Sequence, residues 1–388
     1  MTHYLLTGSI GLLGSYLLRD CLRTGHSMAV LVRPTNTQSA QQRMDALLAR
    51  WRRQTGQILP VPVVFGGDLS RPDLGLAPSQ LLWISRHCRG VIHSAANMTF
   101  HGSDHRREPW LSNLEGTRHM LEICRRLEIS QFHHISTAYV CGLRNGRILE
   151  TELDVGQEFS NDYERSKVEA EKLVQSAGLA QPATIYRPSI IVGDSQTGYT
   201  STFHGFYAIV RLAHTLASQV IVGSIPASLL VETLGMNNHQ RKDYVPVDWV
   251  SAVITHLLGE PAHHGKTYHL TAAEPTAVGV WSRAIHDAVE RYSPMLDPTN
   301  PTGRDAQWCA KIFREQASVY REYWRGDPPF DRTNTEAAVS HLPCPTVDYG
   351  MLMQMARFAI QTRFGRRPKE RSKVKYQISK QWHPGKLG

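Results

Sequence analysis

Thr7-Gly8-Ser9-Ile10-Gly11-Leu12-Leu13-Gly14 decides the fold of this 388-residue chain. It follows a short apolar run, Tyr4-Leu5-Leu6, and opens an amphipathic stretch over residues 15–23. Glycines at this spacing permit a tight strand-to-helix turn and a close backbone approach. The helix N-terminus beyond it offers free N–H groups and the positive end of a dipole to an anion. The pattern predicts a dinucleotide pyrophosphate site over Thr7, Gly8, Gly11, Leu12, Leu13 and Gly14. Further out, apolar runs at 28–32, 61–65, 90–93 and 131–135 alternate with helical stretches such as 113–127. That alternation predicts an α/β fold: a doubly wound parallel sheet with helices on both faces.

The end of the second strand selects the dinucleotide. A ribose 2′-hydroxyl calls for an Asp or Glu there, and a 2′-phosphate calls for an Arg. The chain has Val30-Leu31-Val32-Arg33-Pro34, with no acid nearby. Arg33 therefore argues for NADP over NAD, and Arg43 offers a second positive charge. Gly67-Asp68-Leu69 ends the third strand, where Asp68 is placed to accept from an adenine amino group.

A helix is predicted over 161–178, capped by Asn161 or Asp162 and stopped at Gly178, with Val168, Leu173 and Val174 facing inward. Tyr163 and Lys167 are four apart on it and share one face. An adjacent ammonium stabilises phenolate and lowers a tyrosine pKa, which suits a phenol to general acid catalysis. The preceding strand ends in Ser136-Thr137. In open parallel sheets the ligand crevice lies outside the carboxyl ends of the strands, so either hydroxyl can meet a substrate carbonyl beside Tyr163.

These motifs, with Ile92-His93-Ser94-Ala95-Ala96, Asn113-Leu114-Glu115-Gly116-Thr117, Arg187-Pro188-Ser189 and 243–248 (Asp-Tyr-Val-Pro-Val-Asp), resemble an extended short-chain dehydrogenase/reductase. More narrowly, the chain resembles the fatty acyl-CoA reductase and thioester reductase branch, the male-sterility-type NAD-binding family. Ser136-Thr137-Ala138, the 243–248 segment and Phe330-Asp331 favour that branch. One departure is Ser9-Ile10, where the family carries a small residue followed by Thr.

The resemblance implies a Rossmann-like domain with a smaller, mostly helical C-terminal substrate lobe. Thr137 would bind the substrate carbonyl, with Ser136 beside it, and Tyr163 would donate the proton. Lys167 would tune Tyr163 and hold the nicotinamide ribose, and Asn113 would link to Lys167 through water. Ser94, Ala95 and Ala96, with Arg187, Pro188, Ser189 and Ile190, would border the cofactor. Gly8, Gly11, Gly14, Arg33, Arg43, Asp68 and Leu69 would hold its adenosine half. The implied reaction is NADPH-dependent reduction of an acyl thioester, on coenzyme A or an acyl carrier protein, to an aldehyde, with a second hydride leading on to an alcohol. The alternatives are reduction of free aldehydes or ketones and, less favoured, a nucleotide-sugar epimerase or dehydratase. Arg33 stands where an epimerase carries an acid, and Ala138-Tyr139 stand where a dehydratase carries one.

Domain limits follow: 1–194 with about 241–258 for the cofactor domain, 195–240 and 259–362 for the lobe, and a basic tail at 363–388. The six cysteines form no CxxC pair and the histidines have no third ligand at metal spacing, which predicts reduced thiols, no metal and a cytoplasmic setting. The run 212–231 contains His214, Gln219, Gly223 and Pro226, too polar for a membrane span, and is expected beside a pocket. Tyr320, Tyr323 and Trp324, at helical spacing, are expected in lobe packing. The net charge is +9, and residues 357–388 hold ten Lys or Arg against one acid. The rest of the chain is neutral, so no basic face for nucleic acid is called for. The tail is a solvated segment, a contact to an anionic membrane surface, or a dock for an acidic carrier protein.

Overall fold

Near-continuous apolar strands require burial on both faces. The computed structural model describes residues 2–217, 226–293, 306–317 and 325–365. Six strands come first: β1 (His3–Thr7), β2 (Ser27–Val32), β3 (Val63–Gly66), β4 (Cys88–His93), β5 (Gln131–Ile135) and β6 (Thr184–Pro188). The helices between them are α1 (Leu12–Arg23), α2 (Ala40–Thr55), α3 (Pro78–His87), α4 (Gly116–Arg126) and α5 (Asp162–Gln175). Beyond β6 the order is β7 (Ile190–Val192), α6 (Phe206–Ala217), α7 (Ala227–Thr233), β8 (Arg241–Lys242), β9 (Tyr244–Pro246) and α8 (Val247–Gly259). β10 (Thr267–Leu270), β11 (Thr276–Ala277), α9 (Val278–Tyr292), α10 (Ala306–Ala317), α11 (Thr333–Val339) and α12 (Tyr349–Gln361) complete the described chain.

The main sheet has seven parallel strands in the order β10-β6-β5-β4-β1-β2-β3. Side chains alternate across it, as strand geometry requires. Tyr4, Leu6, Val30 and Val32 enter one core with Tyr16, Leu17, Met44, Trp51 and Val253. Leu5, Ala29 and Leu31 enter the opposite core with Ile84, Met120, Leu121 and Val174. A third core, built on Phe206, Leu230, Trp281, Ile285, Leu352 and Met355, makes the helical C-terminal lobe. The chain thus has the Rossmann-like architecture that the sequence predicts.

The differences are local. The seventh strand, β10, comes from the segment that the sequence assigns to the lobe. The strands at 241–246 stay outside the main sheet: β8 pairs with β11 and β9 with β7. Ser251 on α8 donates to Asp20 on α1 at 2.6 Å, so α8 covers the same sheet face as α1. The helix expected over 113–127 begins as a π turn, Leu111–Glu115, and continues as α4. Residues 366–388 of the basic tail, residues 218–225 and the Tyr320, Tyr323, Trp324 group lie outside the described residues. Among the described residues, no helix is long and apolar enough to cross a membrane.

Candidate active site

Parallel strands put their carboxyl ends on one edge, so the ends of β1, β4, β5 and β6, neighbours in the sheet, form a continuous rim. Thr7 closes β1. Its hydroxyl accepts from the Ser94 and Ala95 amides, each at 3.2 Å, and fastens the β1 and β4 ends together. Gly8 has φ +72, and a Cβ there would lie 2.7 Å from the Ala95 nitrogen. A Cβ on Gly14 would lie 2.1 Å from the Gly8 carbonyl oxygen. Both positions therefore need glycine. Leu12 and Leu13 point into the core and anchor the first turn of α1. The Ser9 hydroxyl is buried in the turn with no hydrogen-bond partner among the described residues. An orphaned hydroxyl beside backbone amides, in a cradle that a Cβ would fill, fits a pyrophosphate.

At the second strand, Arg33, Asp68, Gly67, Ser39 and Arg71 line a cavity of about 560 Å³. Arg43 is placed differently from expectation. Its guanidinium donates to the Arg33 carbonyl and does not line that cavity. Asp68 accepts from the Ser70 amide and hydroxyl at 3.0 and 2.9 Å. The Leu69 carbonyl lies 2.8 Å from His119 Nδ1, and its side chain packs on Gly116.

Tyr163 and Lys167, the candidate catalytic pair, lie on α5. Asn161 caps it, accepting from the Glu164 amide at 2.9 Å. Lys167 is buried, and its ammonium donates to the Ile135 carbonyl at 2.6 Å, tying the helix to the β5 end. Burial pulls the Lys167 pKa down to about 8, against the opposing charge of Glu171. Burial also pushes the Tyr163 phenol up to about 12, with Glu164 adding to the rise. That departs from the sequence expectation of a lowered phenol. Desolvation of the phenolate prevails, and Tyr163 is held as a protonated donor. The Phe100 ring stands edge-on to Tyr163 at 6.2 Å and walls it on one side.

Asn113 sits in the π turn, a backbone irregularity common at functional sites. Its side chain clamps Asn97, accepting from the amide at 2.8 Å and donating to the carbonyl at 3.0 Å. It also donates to Ser166 at 2.9 Å, beside Lys167. The two candidate hydroxyls separate clearly. Ser136 is buried and donates to Glu171 at 2.5 Å, so its hydroxyl is committed to the core. Among the described residues the Thr137 hydroxyl makes only long bonds, to the Pro188 carbonyl at 3.4 Å and from the Tyr139 amide at 3.3 Å. A loosely held hydroxyl at the strand end is the one suited to meet a carbonyl oxygen.

Arg187, next to last in β6, turns its side chain inward. It is fully buried and ion-paired with Glu171 at 2.6 Å, and it donates to the Glu150 carbonyl at 3.3 Å. Ser189 donates to Asp243 at 2.5 Å, and the Ile190 amide donates to the Asp243 carbonyl at 3.1 Å. These contacts hold the Arg187 and Ser189 side chains in the interior beside the β6 end. Ala96 follows the fastened Ala95 on the rim. Sequence reasoning missed Glu171, Glu150 and Arg71. Glu171 had one available signal, its position four residues after Lys167 on an inward face. Burial keeps the thiols of Cys21 and Cys141 protonated, both raised to about 12, which leaves neither as a ready nucleophile.

Strand order, glycine turn and Tyr–Lys helix together define a nucleotide-binding reductase fold. The NAD-binding family model described as male sterility protein matches residues 6–254, and the chain belongs to that family. Among curated relatives it is 25% identical to the aldehyde reductase lnaA of Aspergillus flavus, over 91% of this chain and 35% of that protein. It is 28% identical to the non-canonical nonribosomal peptide synthetase FrzA of Cladobotryum sp, over 91% of this chain and 36% of that one. The chain thus spans about a third of the length of these relatives. Among solved structures, the terminal R domain of the myxalamid PKS-NRPS pathway superposes with a TM-score of 0.70 at 24% identity, covering 94% of this chain and 92% of that one. The thiolation-reductase di-domain of an archaeal non-ribosomal peptide synthetase gives 0.67 at 17% identity, covering 94% and 76%.

Proposed function

We propose that this chain reduces the carbonyl of an acyl thioester with NADPH, releasing an aldehyde and a thiol. The observation that carries the reading is the Lys167 ammonium held on the Ile135 carbonyl at the β5 end, two residues before Thr137, with Tyr163 one helical turn before Lys167 on α5. Bound NADPH supplies a hydride to the carbonyl carbon. Thr137 and Tyr163 donate hydrogen bonds to the carbonyl oxygen as it gains charge, a form of stabilisation that ordinarily dominates such catalysis. Tyr163 passes its proton to that oxygen, and Lys167 orients the phenol and holds the adjacent ribose. Collapse of the resulting hemithioacetal breaks the carbon–sulfur bond and regenerates the carbonyl as an aldehyde. No covalent acyl-enzyme is needed.

Arg33, with no acid at the β2 end, supports NADPH over NADH. Relatives named as nonribosomal peptide synthetases support a carrier-protein phosphopantetheine arm as the thiol, with coenzyme A as the simpler donor. A second hydride would give an alcohol. The name of one relative, aldehyde reductase, favours a second reading in which free aldehydes are the substrate. Purified protein offered NADPH with acyl-CoA and carrier-bound thioesters, in competition with the matching aldehydes, separates the two. Thiol release matched to NADPH consumption supports thioester reduction. Consumption with aldehydes alone supports the second reading, and none with any thioester overturns the first.

A further inference from the structure

The adenosine end of the site holds a cation that no motif predicts. We propose that Arg71 is a second ligand for the 2′-phosphate of the dinucleotide and, with Arg33, sets the preference for a phosphorylated ribose. This rests on the NADPH reading above. Arg33 leaves the end of β2, and Arg71 lies in the loop after β3. Both line the same cavity, which also takes in Ser39, Ala40 and Gln41 at the positive end of α2.

Both guanidinium groups are available. Neither is paired with a carboxylate or hydrogen-bonded through its side chain among the described residues. The neighbouring acids are otherwise occupied. Asp73 accepts from Arg126 at 2.6 Å, and Asp68 accepts from Ser70. Arg43, the cation that the sequence suggests as the partner of Arg33, is spent on the Arg33 carbonyl.

The loop fixes where Arg71 starts. Its amide donates to the Asp68 carbonyl at 3.1 Å, and its carbonyl accepts from Leu74 at 3.0 Å. Asp73, Leu74 and Gly75 follow with φ of 52, 58 and 67, three successive left-handed residues that turn the chain back on itself. Leu74 is fully buried and pins that turn to the core. The Arg71 side chain lies over Gly75, its Cδ, Nε and Nη1 being 3.5–3.6 Å from where a Cβ would stand. Two unpaired, planar donor groups across one cavity suit a phosphate monoester, which guanidinium binds in bidentate fashion.

The test uses binding of adenosine fragments to the full chain by calorimetry: 2′,5′-ADP, which carries the 2′-phosphate, against 5′-AMP, which lacks it. Arg71→Gln is expected to weaken 2′,5′-ADP about tenfold or more, the scale of one lost charge-assisted contact. Binding of 5′-AMP should stay within about twofold, and Arg71→Lys should recover part of the loss. Unchanged 2′,5′-ADP binding in Arg71→Gln, alongside a large loss in Arg33→Gln, overturns the role of Arg71 and leaves the NADPH reading standing. A wild-type protein that binds the two fragments equally overturns both. Arg71 is exposed, so an unchanged melting temperature is expected to accompany either result.

Discussion

Glu171 and Arg187 form an ion pair at 2.6 Å with both side chains fully buried, and the same carboxylate accepts from Ser136 at 2.5 Å. One acid on α5 therefore braces both β6 and the end of β5, next to Thr137. Breaking a buried pair strands a charge, at a cost of about 3–5 kcal/mol. Glu171→Gln is predicted to destabilise the fold on that scale in chemical denaturation. Arg187→Met combined with Glu171→Leu should recover much of the loss, because it removes both charges. A loss below about 1 kcal/mol for Glu171→Gln would contradict the role assigned to the pair.

The two hydroxyls at the β5 end should behave oppositely. Thr137→Val removes a donor to the carbonyl oxygen and is predicted to lower kcat by about 100–1000-fold with the melting temperature little changed. Ser136→Ala deprives Glu171 of a donor and is predicted to lower stability first, with kcat reduced less. Steady-state kinetics beside thermal melts for the two variants would settle the assignment.

Activity should decline on the alkaline side. Lys167, drawn down to about 8 by burial, loses its charge through that region, while Tyr163, raised to about 12, keeps its proton. The kcat/KM profile is predicted to fall above an apparent pKa near 8. Lys167→Arg, always charged, should move that limb upward in whatever activity remains. A wild-type profile that stays flat far into the alkaline range would argue against Lys167 as the titrating group.

Acid should unfold the protein through its histidines. Burial first, then neighbouring positive charge, holds His93 at about 3, His269 at about 4, and His133 and His134 well below the usual value. These rings are neutral when folded, whereas the unfolded chain takes up protons near pH 6.5. Their contribution to stability is complete above that value and falls as the pH drops from about 6.5 toward 4. Thermal melts from about pH 7.5 to 4.5 should show a steep decline, and His134→Phe should make it shallower.

Much of the fold was legible because short strand-like runs alternate with amphipathic helical stretches, even where a strand such as β5 carries His133 and His134. The runs at 28–32 and 131–135 match β2 and β5 within a residue. β10 was not legible: Thr-Tyr-His-Leu is four residues long, and its buried His269 resembles a surface position. Tyr163 and Lys167 were visible because helical spacing is local. The burial of the Arg187 side chain was not legible because its partner, Glu171, meets it only through packing of α5 on the sheet. The π turn at Asn113 left no sequence signal, and its side-chain partners, Asn97 and Ser166, lie 16 and 53 residues away along the chain. That Arg71 and not Arg43 lines the Arg33 cavity was not legible either, because the Arg43 guanidinium turns to the Arg33 carbonyl and Arg71 comes from the separate loop after β3.

The central claim is hydride transfer to a thioester carbonyl, and isotope transfer tests it most directly. NADPH carrying deuterium at the transferable C4 position would be incubated with the protein and an acyl-CoA, and the product analysed by mass spectrometry. The account predicts deuterium on the former carbonyl carbon of the aldehyde, one thiol released per first hydride, and a loss of about 100-fold or more in Tyr163→Phe. Thiol release without deuterium in the product, or no turnover of any thioester, would contradict it.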